Sequence, residues 1–267
     1  MTLKIVGTGF LSAEGTSQAT RLQVTIAPLL RLVEHAVALC QNGMTSVDLE
    51  KQNTPEGKQK ILACIILARL LETAEAILTL ARGGFSVEVM SATRTFLEAY
   101  FIFGNVCKNP AFVEQYFHSD LKVRQKLINQ AAKHKDAPFT LINEYADKNL
   151  IAQLKEHIEE VGAAELDVYK NASSIGCAGI YDSMYRITSS ATHSTPRVLA
   201  SYVTEALDGT ILELKRHPQL GHIARRLHDV GNFLLTVYAG FEEIFELEPS
   251  AQVELLRAAF SSVNLPE

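Results

Sequence analysis

The segment Ile180–His193 carries four side chains whose types and spacing could support chemistry. At about 100° per residue, one narrow stripe of a helix would hold Asp182, Arg186, Ser189 and His193. An arginine binds anionic groups, and a histidine can exchange a proton near neutral pH. The alternative is an ordinary solvated face on which Asp182 and Arg186 form an i,i+4 ion pair. Periodicity alone favours the solvated face, because most charged stripes are simply surface.

A second polar arc lies on a helix predicted over residues 85–107. Arg94 and Glu98 are one turn apart on it, and the opposite face is apolar. That apolar face consists of Val89, Phe96, Leu97, Tyr100 and Phe103. One interpretation is a surface ion pair worth roughly a few tenths of a kcal/mol. The other is a pocket shared with Arg186 and His193, and the sequence leaves both interpretations open.

A polar seam also follows the helix predicted near the C-terminus. It consists of His222, Arg225, Asp229, Asn232 and Thr236, and apolar residues flank it on both sides. A helix that is apolar around so narrow a seam is mostly buried. Because buried polar groups need partners, we expect the seam to meet a polar helix or a wet cleft.

The histidines and cysteines show no spacing typical of a metal site. None of the four cysteines belongs to a Cys-x-x-Cys pair, and His222 and His228 fall on different faces of one helix. We therefore predict no metal and no cofactor. Each cysteine has an apolar neighbour, which is typical of reduced thiols in a cytosolic protein.

Helical periodicity dominates the elements that must position these residues. The predicted helices span residues 16–41, 58–82, 85–107, 110–134, 139–161, 176–193, 196–207, 219–246 and 250–262. Irregular segments are predicted at 42–57 and 162–176, and short strands at Leu3–Phe10 and Thr210–Leu214. The pattern predicts one all-α, bundle-like domain over residues 1–267, with residues 1–15 as a loosely ordered N-terminal segment.

Composition excludes several classes of function. A net charge of -5 disfavours a protein that grips a nucleic acid backbone over a broad surface. The N-terminus lacks the pattern of a secretory signal, and the apolar stretch Ile61–Ala81 carries Arg69, Glu72 and Glu75, whose charges make a membrane span costly. We expect a soluble, cytoplasmic protein that does not bind membranes.

Two runs resemble the paired motifs of a known family. An Arg-x-x-x-Glu pattern stands at Arg94 and Glu98, and a Tyr-x-x-x-Ser-x-x-x-His pattern stands at Tyr185, Ser189 and His193. This pairing is similar to that of a widespread group of helical bacterial proteins described only as a domain of unknown function. The resemblance spans residues 60–245 and implies an all-α fold and these site residues, but no reaction.

The spacing of Arg186 and His193 also looks like the Arg-x(4–6)-His signature of the HEPN superfamily. That likeness implies RNA cleavage without a metal ion, at a composite site formed across a helical homodimer. It implies that the arginine contacts phosphate and that the histidine assists transfer to the 2′-hydroxyl.

Two functional hypotheses follow. The first is a metal-independent ribonuclease, or a toxin or defence effector that acts on RNA, with Arg186 and His193 as its catalytic residues. The second is a non-catalytic binding or scaffold protein that recognises a small anionic ligand or a partner protein. In both, the predicted binding residues are Arg94, Glu98, Asp182, Tyr185 and Ser189. We expect all of them except Asp182 to gather with the catalytic pair around one cavity.

Overall fold

The computed structural model describes residues 4–49, 53–134, 139–145 and 148–266. Helices account for 73% of these residues, whereas soluble domains average about a third. Within the described part of the chain, the only strands are three short ones that form a small sheet. The all-α prediction is therefore confirmed.

The first part of the chain forms one strand and four long helices. In chain order these are β1 (Lys4–Val6), α1 (Ala13–Ser46), α2 (Pro55–Arg82), α3 (Ser86–Lys108) and α4 (Phe112–Ala131). The turn from α2 to α3 lies where two adjacent glycines predict it. Gly84 adopts a φ of 72°, a left-handed conformation that ends a helix and that glycine accepts without steric cost.

Shorter elements follow, and then two more helices. These are α5 (Thr140–Tyr145), α6 (Lys148–Glu160), α7 (Val168–Ser174), α8 (Ala178–Ile180), a π-helical turn (Tyr181–Tyr185), α9 (Arg186–Thr192), α10 (Pro196–Leu199), a 3-10 turn (Ala200–Tyr202), β2 (Val203–Glu205), β3 (Ile211–Lys215), α11 (Ile223–Ile244) and α12 (Ala251–Ser262). Residues 178–192 thus form one continuous helical run that contains a π-helical turn.

The core lies among α1, α2, α3 and α11, which pack against one another. The sequence predicts that the helices over 58–82, 85–107 and 219–246, which correspond to α2, α3 and α11, pack as the core. Their largest fully buried side chains include Leu67 of α2, Phe96 and Phe101 of α3, and Phe241 of α11. α1 adds Ile26 and other apolar side chains. The run 178–192 lies against α3, and this packing positions the predicted site residues.

The sheet pairs the N-terminal strand with the strands that precede α11, in the order β1-β3-β2. β3 pairs with β1 in parallel and with β2 in antiparallel orientation. Strands near β1 and β3 were predicted, but β2 falls within the predicted helix 196–207. That helix ends early, at Leu199, and the extended residues Val203 and Thr204 are β-branched and suit a strand.

Other boundaries differ from the predictions as well. The predicted helix 139–161 corresponds to α5 and α6, and residues 146–147 between them lie outside the described residues. The predicted irregular segment 162–176 contains α7, because Asn171 is buried and its carbonyl oxygen accepts a hydrogen bond from the Asn105 side chain at 2.8 Å. Within the segment predicted to be loosely ordered, residues 1–15, the described residues include β1 at residues 4–6 and the start of α1 at residue 13.

Among the described helices, α1 alone is long and apolar enough to cross a membrane. Its most apolar window has a mean hydropathy of 1.4, and 33% of that window is buried within the protein. The buried residues Ile26, Val33, Ala36 and Cys40 contribute to the core. Core helices of soluble proteins pass the same test of length and composition.

The core assignment predicts unequal costs for two leucine substitutions. Leu97→Ala removes a fully buried side chain and should lower the free energy of unfolding by about 2–5 kcal/mol. Leu255→Ala is the matched control, because Leu255 is 69% exposed, and it should change stability little. Urea denaturation measures both values. Equal stabilities of the two variants would contradict the assignment.

Candidate functional site

Three predicted site residues meet where α3 contacts the run 178–192, and we call them the α3–α9 network (Arg94, Glu98 and Tyr185). The Tyr185 hydroxyl donates to Glu98 Oε1 at 2.8 Å and accepts from Arg94 Nη2 at 3.1 Å and Nε at 3.3 Å. Arg94 Nη2 also lies 3.1 Å from Glu98 Oε1. Residues from motifs about ninety positions apart therefore form one hydrogen-bonded group.

The network is partly open to solvent, and its arginine and its tyrosine keep their protons at neutral pH. The side chains of Arg94 and Glu98 are 24% and 37% exposed. Burial raises the pKa of Tyr185, and its hydrogen bond to Glu98 raises that pKa further, so the hydroxyl remains protonated at neutral pH. Burial acts to lower the pKa of Arg94, but the hydrogen bond to Tyr185 and the charge of Glu98 outweigh it, and the net shift is upward.

The π-helical turn lies next to this network. It covers Tyr181–Tyr185 and so inserts wider helical geometry immediately before α9. Such turns are rare in proteins and occur frequently at functional sites. The uniform helical period used to predict the polar stripe does not hold across it. Tyr185 at its end is buried, whereas Asp182 and Arg186 are exposed.

A second layer of site residues lies outside the network. Asp182 Oδ1 and Arg186 Nε are 3.1 Å apart, and both side chains are more than half exposed. The Arg186 guanidinium lies over the ring of Tyr181, 5.6 Å from its centroid. This is the i,i+4 surface pair that the simpler interpretation of the stripe predicts.

Stacked tyrosines connect the two layers, and we call Tyr169, Tyr181 and Tyr185 the tyrosine ladder. The rings of Tyr181 and Tyr185 stack with centroids 4.7 Å apart, and Tyr169 meets Tyr181 edge to face at 5.2 Å. Arg94 lies over the Tyr185 ring at 5.3 Å. Five predicted site residues, Arg94, Glu98, Asp182, Tyr185 and Arg186, thus belong to one contiguous cluster. Tyr169 and Tyr181 were not predicted, because they belong neither to the polar stripe nor to the two motifs.

The structure does not bring the last two predicted residues into this cluster by direct contact. Ser189 is half-buried on α9, and His193 is exposed at the residue that follows α9. Among the described residues, neither side chain makes a hydrogen bond or an ion pair. His193 follows Arg186 by seven residues, about 10 Å along a helix axis. Its imidazole is therefore accessible to a substrate from solvent.

The polar seam of α11 is buried in part, and its arginine differs from the predicted one. Arg225 is exposed, whereas Arg226 is buried and its Nη2 lies 3.1 Å from Asp229 Oδ2. Burial raises the pKa of Asp229 and lowers the pKa of Arg226, so desolvation outweighs the attraction between them. Asn232 is half-buried and Thr236 is exposed. His222 immediately precedes the helix, and its pKa is lowered mainly by burial and also by the charge of Arg226.

A cavity of about 550 Å³ lies at the other end of the α3–α9 contact. Its walls come from the segment around Phe10, the start of α3, α9, α10 with the following 3-10 turn, and the segment before α11. None of the seven predicted site residues lines it, so the expectation that they surround one cavity does not apply to this cavity. Of its polar lining residues, only His222 belongs to a predicted polar feature, the seam of α11. The others could not be predicted, because the cavity is formed by segments that lie far apart along the chain.

Within the described part of the chain, no group of three or more His, Cys, Asp or Glu side chains is placed to hold a metal ion. All four cysteines are free thiols. Burial raises the pKa of the Cys40 and Cys107 thiols to about 12, so these two are protonated at neutral pH.

The α3–α9 network predicts a stability cost for loss of one hydroxyl. Tyr185→Phe removes the group that bonds both Arg94 and Glu98, and it should lower the free energy of unfolding by about 1 kcal/mol. Tyr169→Phe is the matched control, because the Tyr169 hydroxyl makes no hydrogen bond to the described residues. Chemical denaturation compares the two variants. A Tyr185→Phe variant as stable as the control would show that the network does not bind the run 178–192 to α3.

The two aspartate–arginine pairs predict unequal losses of stability for the same substitution. Asp229→Asn leaves Arg226 as a buried charge without a counterion and should cost about 3–5 kcal/mol. Asp182→Asn breaks an exposed pair and should cost well under about 1 kcal/mol. Thermal unfolding at neutral pH measures the difference. If both variants lose equal stability, the buried pair is not the stronger structural contact.

Comparison with known proteins is consistent with the family resemblance but adds no activity. No curated protein and no solved structure matches the chain. A family model does match, over residues 60–211, a shorter range than the 60–245 that the motifs suggest. The matched range includes the whole α3–α9 network together with Arg186 and His193, and it covers more than half of the chain. The chain belongs to a family of unknown function, DUF5677.

Proposed function

We propose that this protein binds single-stranded RNA at the exposed edge of the tyrosine ladder and cleaves it without a metal ion. The observation that carries the proposal is the adjacency of aromatic rings and a guanidinium on one accessible surface. Tyr169 is 45% exposed, its ring meets the Tyr181 ring edge to face, and the Arg186 guanidinium lies over the Tyr181 ring. We call Tyr169, Tyr181 and Arg186, together with the exposed His193 seven residues further along the chain, the tyrosine–arginine face.

Single-stranded nucleic acids bind to surfaces of this composition. Bases stack on aromatic side chains whatever their sequence, and arginine contacts phosphate through a planar fork of donors. The exposed Lys170 adjoins Tyr169 and adds a positive charge beside the ladder. A net charge of -5 disfavours a broad electrostatic surface, but a contact of a few nucleotides requires only this local face.

The proposed reaction divides its work between Arg186 and His193. The His193 imidazole accepts the proton of a 2′-hydroxyl, and the 2′-oxygen then attacks the adjacent phosphorus. The bond from phosphorus to the 5′-oxygen breaks, a 2′,3′-cyclic phosphate forms, and the resulting imidazolium returns a proton to the 5′-oxygen. Arg186 stabilises the negative charge that develops on the phosphate oxygens. The likeness to the HEPN superfamily implies the same two roles.

The α3–α9 network positions this face and does not react. Tyr185 stacks on Tyr181 and is fixed by Arg94 and Glu98, so the ladder has a rigid inner end. Arg186 then meets Tyr181 and Asp182 at defined distances. Pre-organisation of this kind reduces the ordering cost when a strand binds.

A cytoplasmic location follows from the proposal, because the substrate and the free thiols both belong there. The proposed partner besides RNA is a second copy of the chain, since the HEPN likeness implies a composite site across a homodimer. Light scattering of the purified protein tests the dimer independently of activity.

A non-catalytic binding protein for small anions or a partner protein is the second candidate. One observation favours it: both predicted site arginines already have a carboxylate partner, Arg94 with Glu98 and Arg186 with Asp182. An arginine that is paired with a carboxylate can bind a ligand anion in exchange for that carboxylate. Such arginines suit ligand recognition at least as well as catalysis. Binding of RNA or of a short anion without cleavage would support this candidate.

The ribonuclease proposal predicts a loss of cleavage on substitution of one histidine. Purified protein is incubated with total RNA and a metal chelator, and RNA length is followed by electrophoresis. The wild-type protein should shorten the RNA, and His193→Ala should abolish cleavage because no other group takes the 2′-hydroxyl proton. Arg186→Ala should slow cleavage by about a hundredfold or more.

His157→Ala serves as the matched control, because His157 is also an exposed histidine but lies on α6. It should cleave like the wild type. Cleavage that persists in His193→Ala, or intact RNA with the wild-type protein, would overturn the proposal.

A further inference from the structure

The cavity at the far end of the α3–α9 contact has the size of a small-molecule site. Its volume of about 550 Å³ lies within the range of roughly 300–1,000 Å³ that is typical of ligand pockets. It lies apart from the tyrosine–arginine face, and none of that face's residues lines it. Whatever it binds is therefore distinct from the proposed RNA contact.

Apolar side chains form much of the wall. Phe10 and Phe85 stack with ring centroids 4.5 Å apart and both line the cavity. Met90 and Val198, which pack together in a small buried cluster, and Ile187 of α9 complete the apolar part. A surface of this kind is favourable for the hydrocarbon portion of a ligand, because it removes apolar area from water.

The polar part of the wall holds one cationic side chain, Arg197, and one histidine, His222, whose lowered pKa leaves it neutral at neutral pH and able to donate a hydrogen bond. Arg197 and His222 both line the cavity, and neither side chain has a carboxylate partner among the described residues. α3 and α11, both long helices, also begin at this cavity, and neither has a side-chain cap at its first turn. Helix N-termini carry partial positive charge, so both favour an anion in the cavity.

One carboxylate opposes this charge. Glu88 lines the cavity, but it lies in the first turn of α3, where its charge already interacts with the positive end of its own helix. Tyr202 lies nearby. Burial raises the pKa of Tyr202, and the charge of Glu88 raises it further. The Tyr202 hydroxyl is therefore protonated at neutral pH and is a further donor for an anionic ligand.

We infer that this cavity binds an amphipathic small molecule with an apolar body and a single carboxylate-like anionic group. The apolar body lies against Phe10, Phe85, Met90 and Val198. The anionic group lies near the mouth of the cavity, where it is bound by Arg197 and His222. Such a ligand satisfies both parts of the wall, whereas a hydrophilic anion leaves the apolar part in contact with water.

The inference is tested with three probes that share one alkyl chain: decanoate, decanol and decyltrimethylammonium. Isothermal titration calorimetry should show decanoate binding about tenfold or more tightly than decanol, because decanoate forms an ion pair with Arg197, whereas decanol only accepts a hydrogen bond from it. The decyltrimethylammonium cation should bind most weakly. Arg197→Gln should reduce the affinity for decanoate about tenfold and leave the affinity for decanol unchanged.

A matched pair of serine variants locates the binding. Ser190 lines the cavity and Ser183 does not, although both belong to the helical run 178–192 and both hydroxyls donate to a carbonyl of a preceding residue at 2.6 Å. Ser190→Trp should fill the cavity and abolish decanoate binding, and Ser183→Trp should bind like the wild type. Circular dichroism confirms that each variant is folded.

The outcomes separate this inference from the proposed function. His193→Ala should bind decanoate normally, because His193 does not line the cavity. Equal affinities for decanoate and decanol, or tightest binding of the cation, would overturn the assigned ligand class. Decanoate binding that survives in a folded Ser190→Trp variant would place the ligand elsewhere and overturn the site.

Discussion

A single hydroxyl group joins the two motifs of this chain. The Tyr185 hydroxyl lies between the charged ends of Arg94 and Glu98, accepting from one and donating to the other. The ring beneath it is buried next to Phe101, so the same side chain is anchored by apolar contact and by hydrogen bonds. Because the run 178–192 is short and interrupted by a π-helical turn, its own helical hydrogen bonds would not hold it in one orientation.

Both proposed sites depend on this attachment. The tyrosine ladder extends outward from Tyr185, so its exposed end has the direction that the network gives it. At the other end of the same contact, Met90 of α3 packs with Ala191 and Val198 and forms part of the cavity wall. One pair of packed helices therefore presents an open polar surface and an enclosed apolar space, which suit a polymer and a small molecule respectively.

Two aspartate–arginine pairs with similar spacing along a helix differ in burial, and burial determines their energetic role. Arg186 with Asp182 and Arg226 with Asp229 are both pairs within one helical turn at 3.1 Å. The first is solvated, so its charges remain available to a ligand at little cost. The second is buried, and Arg226 Nε and Nη1 lack partners among the described residues. That pair resists substitution because either charge alone would be buried without a counterion.

Local sequence patterns are enough to predict the helical class and three of the four core helices, and the family resemblance adds the residues of the α3–α9 network. Helix periodicity is local, so the apolar face of α3, with Phe96 and Leu97, could be predicted without its neighbours. The break at Gly84 follows equally from a local property, the freedom of glycine to adopt a positive φ. Tyr185 was found through a resemblance of motifs rather than through its chemistry.

Which of these residues contact one another and which are exposed to solvent depends on how the helices pack. A uniform helical period cannot anticipate a π-helical turn, so it placed Asp182, Arg186 and His193 in one row but could not show Tyr181 beneath Arg186. The choice of Arg226 over Arg225 as the buried arginine depends on the helices that pack around α11. The cavity is formed by segments more than two hundred residues apart, from Phe10 to His222, and a local sequence pattern cannot predict that such distant segments come into contact.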